Sequence, residues 1–226
     1  MAAEETTPAE LQRLLEAQKA ALRERGPPSV RERERRLDVM VQLLLANEDA
    51  LVAAVTADFG VRPREVTRFA DVLMALEAFK AARAGVRRWC RPERRRVDFP
   101  FNVVGATNYV EYQPKGVVGV IAPWNYPIML LLTPVASAFA AGDAVLLKPS
   151  ELAPRTALLI ARLVNGAYDE SIARVVLGGP RTSAALAALP LDHLVFTGST
   201  RVGKLVAAAC AQHPVSYTHL TLPTKA

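Results

Sequence analysis

Apolar side chains set two different rhythms along this chain, and the change between them falls near residue 113. Up to about residue 90 they recur every three or four positions, as in Leu37, Met40, Val41, Leu44 and Leu45, which is the stripe of a helix with one buried face. Gly26-Pro27-Pro28 separates a first helix from a second, with Ser29 placed to cap it. Asn47-Glu48-Asp49 marks a further start, and Gly60 with Pro63 a stop. Residues 97–104 and 107–113 are β-rich and joined by Gly105-Ala106, which predicts a hairpin. Past Gln113, short apolar runs alternate with helical stretches. Strands are expected at 116–121, 144–147, 173–177 and 194–196, and helices at 127–141, 154–165, 181–189 and 199–211. Such runs are strands buried on both faces, and the alternation predicts a parallel sheet covered by helices.

The expected organisation is α/β, with a helical part at 1–96, a hairpin arm at 97–113, a parallel-sheet unit at 114–215 and a tail at 216–226. The tail resembles a read-through scar and is expected to stand outside the fold.

With 226 residues and 51% hydrophobic composition, the chain can bury a sizeable core. Its formal charge of +6 comes mostly from arginine clusters. Arg-Glu-Arg-Glu-Arg-Arg at 31–36 alternates in sign at helical spacing, which predicts a solvated face laced with weak ion pairs. Arg87, Arg88, Arg91, Arg94, Arg95 and Arg96 are answered only by Glu93 and Asp98. No interleaved aromatics or nucleic-acid signature accompany them, so no nucleic-acid partner is expected. Cys90 and Cys210 form no metal or redox motif, and the N-terminus is acidic and polar; both point to a reduced, cytoplasmic setting. The most hydrophobic stretch, 128–141, is too short to span a bilayer and contains Pro134, so a buried core helix is expected and no membrane partner. His193, His213 and His219 lack metal-ligand spacing, and no metal is expected.

Chemistry concentrates where the predicted strands end. Ile121-Ala122-Pro123-Trp124-Asn125 leaves the first strand, at the sheet edge where open α/β proteins keep their ligands. Asn125, held between prolines, can aim its amide at an oxygen gaining negative charge, or it can simply cap the helix starting near Tyr126 or Pro127. Lys148, Ser150 and Glu151 follow the second strand, as ligand groups or as surface charges. Gly178 follows the third, as a close approach to a bound ring or as a plain turn. Gly198-Ser199 follows the fourth and opens a helix, where an anion or an ordinary serine cap fits.

Three blocks then combine: Gly116 to Pro127 (GVVGVIAPWNYP), Val145 to Glu151 (VLLKPSE) and Leu194 to Gly203 (LVFTGSTRVG). Together they resemble the aldehyde dehydrogenase superfamily, closest in flavour to its coniferyl-aldehyde branch, over about residues 11–215. The resemblance implies an N-terminal helical layer plus a Rossmann-like parallel sheet binding NAD, with NADP a second option, and an aldehyde as substrate. By that match Ile121, Ala122, Pro123, Trp124, Lys148, Ser150, Glu151, Gly178, Phe196, Gly198, Ser199 and Val202 hold the cofactor, and Asn125 is catalytic as a donor to the reacting oxygen. Glu151 favours NAD, because its carboxylate accepts from a free 2′-hydroxyl and repels a 2′-phosphate. The hairpin arm would reach a partner subunit in a homodimer. The resemblance also implies a nucleophilic cysteine and a water-activating glutamate, the latter in a Pro-Val-Thr-Leu-Glu-Leu-Gly-Gly-Lys segment. Here Pro214-Val215 runs into Ser216-Tyr217-Thr218 instead, so the chain is expected to be cut before its catalytic half and inactive alone. The alternative is an inactive dinucleotide-binding or scaffolding module.

Overall fold

The computed structural model describes residues 5–213 and 215–221. Five helical segments come first: α1 (Pro8–Arg25), α2 (Val30–Ala46), α3 (Glu48–Phe59), α4 (Arg64–Thr67) and α5 (Met74–Trp89). A π-helical turn, Arg68–Leu73, links α4 to α5 and was not legible in the sequence. Ser29 caps α2 as expected, its hydroxyl accepting from Glu32 N at 3.2 Å.

The α/β unit follows as β3 (Val117–Ile121), α6 (Met129–Ala141), β4 (Ala144–Lys148), α7 (Pro154–Ala167), β5 (Ala173–Val175), α8 (Pro180–Ala187), β6 (His193–Gly198) and α9 (Thr200–Cys210). Its parallel sheet runs in the order β5-β4-β3-β6-β7, with β7 at Ser216–Thr221. The chain moves from β3 outward to β4 and β5, then returns to lay β6 on the other side of β3. The strand order therefore reverses between β3 and β6, and a crevice opens there beyond the strand ends.

Strand pleating sends alternate residues of β3 into two separate cores. Val118 and Val120 join Val145, Leu147 and Val175 beneath α6 and α7, with α2, α3 and α5 packed outside them. Val117 and Ile121 face the opposite way, toward Leu146, Leu194 and Phe196 beneath α1, α8 and α9. The N-terminal helices are thus divided between the two faces, α1 alone crossing to the second. Two carboxylates, the buried Asp143 and the half-buried Asp192, pin the start of β3: Asp143 accepts from Gly116 N at 2.9 Å and Asp192 from Val117 N at 2.8 Å. No single helix among the described residues is long and apolar enough to cross a membrane, and α6 is a core helix with Pro134 inside it.

Three expectations need correction. The arginine-rich start of α2 is not a solvated face, since Arg33, Glu34 and Arg36 are buried. Arg33 donates to Ala140 O at 3.2 Å, at the negative end of α6, and Arg36 donates to Asp143 O at 3.3 Å; Glu34 accepts from Arg83 at 2.8 Å and Arg87 at 2.5 Å. Long guanidinium stems let charged residues cross an apolar seam to reach backbone carbonyls. The hairpin also pairs differently. β1 (Glu93–Arg95) lies antiparallel to β2 (Asn108–Val110), so its first strand comes from the arginine cluster and Gly105-Ala106 sits within a longer connection. Finally, residues 216–221 are not outside the fold. They form β7, in register with β6 from His193↔Ser216 to Gly198↔Thr221, with Tyr217 and His219 turned inward and Ser216, Thr218 and Leu220 outward. The rest of the expected tail lies outside the described residues.

Asp71, in the π-helical turn, is fully buried and its Oδ1 accepts from Ile128 N at 3.0 Å and Met129 N at 2.6 Å. Burial pushes its carboxyl up to about 6 against those two hydrogen bonds. The folded form therefore holds a proton that the unfolded chain has lost, so the stability linked to that proton is full below about pH 4 and is lost as pH rises through about 6, while the two hydrogen bonds remain. Asp71→Asn keeps an acceptor and removes the titration. Its denaturation free energy relative to the unchanged chain should rise by about 3 kcal/mol between pH 3 and pH 7. A difference that stays flat with pH contradicts the assignment.

Candidate functional site

The strands are parallel, so their C-terminal ends face one edge, and the residues that follow each of them collect there. Ile121 is paired with Lys148 on one side and Phe196 on the other. At the usual strand spacing this puts Lys148 and Phe196 about 10 Å apart, with the exit of β3 between them. Trp124, Lys148, Glu151 and Ser199 thus share the same edge of the molecule rather than opposite sides.

Helices α6 to α9 each begin near this edge, and each offers unpaired N–H groups and the positive end of its dipole. Three are closed by a carboxylate from the N-terminal part of the chain. Asp71 holds α6, as above. Asp58, near the end of α3, holds α7 by accepting from Arg155 N at 3.0 Å, Thr156 N at 2.8 Å and the Thr156 hydroxyl at 2.7 Å. Glu5 accepts from Gly179 N at 2.9 Å at the head of α8. The head of α9 has only the Ser199 hydroxyl, accepting from Val202 N at 3.4 Å, and no carboxylate among the described residues. An incoming phosphate is repelled at the first three and favoured at α9. Ser199 is exposed there and Val202 half-buried one turn on.

At the end of β4, Lys148 is 1% exposed and donates to Glu151 Oε2 at 2.7 Å. Burial opposes the charge on Glu151 most strongly. The hydrogen bonds from Lys148 and from the backbone N–H of Glu151, with the attraction to Lys148, outweigh it and hold this carboxyl below the usual range. The side chain of Glu151 stays 39% exposed, so an ionised acceptor faces the edge. Ser150 is buried and its hydroxyl accepts from Leu152 N at 3.2 Å, shaping the turn that presents Glu151.

After β3, Ile121 and Ala122 are buried and Pro123 half-buried, while Trp124 is exposed with its ring 5.8 Å from that of Phe59. Asn125 does not cap α6; that position belongs to Asp71. The Asn125 side chain makes no hydrogen bond to any described residue, and its Oδ1 is buried without a partner. Gly178 has φ +150°, and a Cβ there would overlap Thr182, so the turn itself requires glycine. Phe196 lies near the end of β6. Its ring is buried across Gly198 and lies 5.3 Å from the His219 ring, because β7 runs alongside β6.

The capping carboxylates Glu5, Asp58 and Asp71, and Arg62 beside Asn125, are absent from the sequence-derived set. Asp71 carries a signal in hindsight, as a lone charge in the apolar run Phe69-Ala70-Asp71-Val72-Leu73. Clefts of about 740 and 750 Å³ open elsewhere, one beside Trp89, Cys90 and Tyr112 and one beside Glu34, Asp38 and Arg83, and neither is lined by a residue of the parallel sheet. No group of His, Cys, Asp and Glu among the described residues is arranged to hold a metal.

Comparison with known proteins shows the family and the fold. The model of the aldehyde dehydrogenase family matches residues 1–226. Coniferyl aldehyde dehydrogenase of Pseudomonas sp. (strain HR199 / DSM 7063) is 44% identical over 204 residues, covering 90% of this chain and 42% of that protein. The 4,4'-diaponeurosporen-aldehyde dehydrogenase of Staphylococcus aureus is 33% identical over 82% of this chain and 40% of its own length. The substrate-bound structure of Staphylococcus aureus AldH superposes with a TM-score of 0.87 at 29% identity, covering 93% of this chain and 45% of that one. The chain thus spans about two fifths of the length of the curated relatives it matches.

Lys148 is the main influence holding Glu151 ionised, so Lys148→Met leaves burial, the largest single influence, opposed only by the backbone N–H of Glu151. The Glu151 carboxyl, followed by carbon-detected NMR titration, should move from below the ordinary carboxylate range to above it. An unchanged midpoint would mean that the ion pair does not govern this group.

Proposed function

The chain belongs to the aldehyde dehydrogenase family, and we propose that the protein carrying it oxidises an aldehyde to the carboxylic acid with NAD, this chain supplying the cofactor-binding half. The observation that carries the cofactor assignment is the head of α9, the helix start at the sheet edge that no carboxylate among the described residues closes, next to the strand-order reversal. A dinucleotide fits this donor set: Ser199 and the first N–H groups of α9 receive the pyrophosphate, Val202 and Gly198 line its path, and Lys148 and Glu151 take the ribose hydroxyls. NAD, when bound, supplies the hydride acceptor.

The chain's own contribution to the reaction is Asn125. Its uncommitted amide donates to the aldehyde oxygen as negative charge builds there. The resemblance places the water-activating glutamate in the segment that follows Pro214-Val215, here a strand. In this chain that strand is β7, where Thr218 stands and no carboxylate is present among the described residues, so the chain alone is proposed not to turn over. The nucleophile is proposed to lie outside this sequence as well, since Cys210 is buried in α9 with its thiol pushed up by burial.

An aromatic aldehyde of the coniferyl type is the proposed substrate class, supported by the relative that is 44% identical. The exposed arm residues Phe99, Phe101, Val103 and Val104 support a subunit contact in a homodimer, and the free cysteines Cys90 and Cys210 suit a cytoplasmic location.

In the complete protein, Asn125→Ala should lower kcat by roughly 10²- to 10³-fold with KM for NAD nearly unchanged. A kcat within about threefold of the unchanged protein would remove Asn125 from the mechanism. Glu151→Gln removes the charge that repels a 2′-phosphate, so the ratio of kcat/KM for NAD over NADP should fall about tenfold. An unaltered ratio would place cofactor selection elsewhere.

A further inference from the structure

Residues 123–125 leave β3 and precede α6 in an irregular bend, and irregular backbone keeps its shape only where something outside it holds it. Two prolines remove N–H donors at 123 and 127. Ala122 N still reaches Lys148 O at 3.2 Å, and Tyr126 O already accepts from Leu130 N at 3.0 Å. Between these points, one hydrogen bond made by residues 123–125 is present among the described residues: Arg62 Nη2 donates to Asn125 O at 2.6 Å.

Arg62 is itself held by its surroundings. α3 ends at Phe59, and Gly60, at φ +74°, turns the chain so that Arg62 folds back over the last helical side chain. Its guanidinium lies 3.7 Å from the centre of the Phe59 ring and 5.2 Å from that of Tyr126. Phe59 in turn packs against Trp124. One arginine and the ring beneath it therefore touch the three successive residues Trp124, Asn125 and Tyr126. Arg62 Nη1 and Asn125 Oδ1 are both buried without partners among the described residues, so neither the guanidinium nor the amide is committed to another described side chain. A planar two-pronged group stacked on a ring fixes both the distance and the angle of the hydrogen bond it makes.

We propose that Arg62 is the positioning residue for Asn125: it sets the backbone at that residue, and so the direction in which its side-chain amide points. The inference rests on the aldehyde-oxidising reading above. It adds a residue from the helical part of the chain, more than sixty positions earlier in sequence, to the machinery at the sheet edge.

The test is a double-mutant cycle in the complete protein. Arg62→Met should lower kcat on the order of 10²-fold while KM for NAD stays within about twofold, since misplacing a donor by about 1 Å costs that much. In the Asn125→Ala background the same substitution should cost nothing further, because Arg62 then has no amide to aim. Arg62→Lys, which keeps the charge and one donor but not the stacked fork, should fall between, with kcat down about tenfold. If Arg62→Met does not fold, by thermal melting, the lysine variant decides alone, and an unchanged kcat overturns the proposal. Losses that multiply in the double variant also overturn it. If the unchanged protein oxidises no aldehyde, the functional reading fails instead. Positioning is then decided by NMR of the 15N-labelled protein: the Asn125 side-chain amide signals should shift in Arg62→Lys while the Glu151 backbone amide stays in place, and unmoved Asn125 signals overturn the inference.

Discussion

Carboxylates donated by the N-terminal part of the chain to the helix starts of the sheet unit are the interaction on which the rest depends. Asp71, Asp58 and Glu5 each satisfy backbone N–H groups that would otherwise be unpaired, at α6, α7 and α8. Each therefore does two things. It fastens an outer segment to the sheet through charge-assisted hydrogen bonds, and it cancels the positive helix end that would attract an anion. The helix after the first strand is the usual phosphate site in a sheet of this strand order. Here it is occupied by a protein side chain, and the open position moves to α9 on the other side of the reversal.

This arrangement also accounts for Asn125. Because Asp71 caps α6, the asparagine is relieved of the local duty that an asparagine before a helix usually performs. The bend that carries it is then shaped from outside, by Arg62 and Phe59, while Lys148 O holds its entrance at Ala122. Sequence-distant groups thus define the surroundings of the residue proposed to meet the reacting oxygen.

Much of this was legible in the residues and some was not, for reasons that can be stated. The apolar runs at 117–121 and 144–147 were readable because a strand buried on both faces has no polar positions to blur it. The edge gathering Trp124, Lys148, Glu151 and Ser199 followed from parallel alternation alone. The caps were not readable, since an aspartate inside a helical run does not announce which distant helix it will meet. Arg33 and Arg36 misled because sign alternation at helical spacing describes a surface helix, whereas α2 is buried against α5 and α6 and its arginines pass through the seam to carbonyls. The hairpin slipped because three exposed residues on each strand carry no burial pattern to set a register. The sequence of β7 looked foreign, yet the free edge of β6 pairs with it through backbone groups that any sequence supplies.

The most direct test of the account is an NMR titration of the 15N-labelled chain with NAD, read amide by amide. The account predicts the largest shifts at Thr200, Arg201 and Val202, accompanied by Lys148 and Glu151, with Ile128, Met129, Arg155 and Thr156 little affected because carboxylates already hold them. Dominant shifts at the heads of α6 or α7, or in the cleft beside Trp89 and Cys90, would contradict it, as would a well-folded sample that shows none.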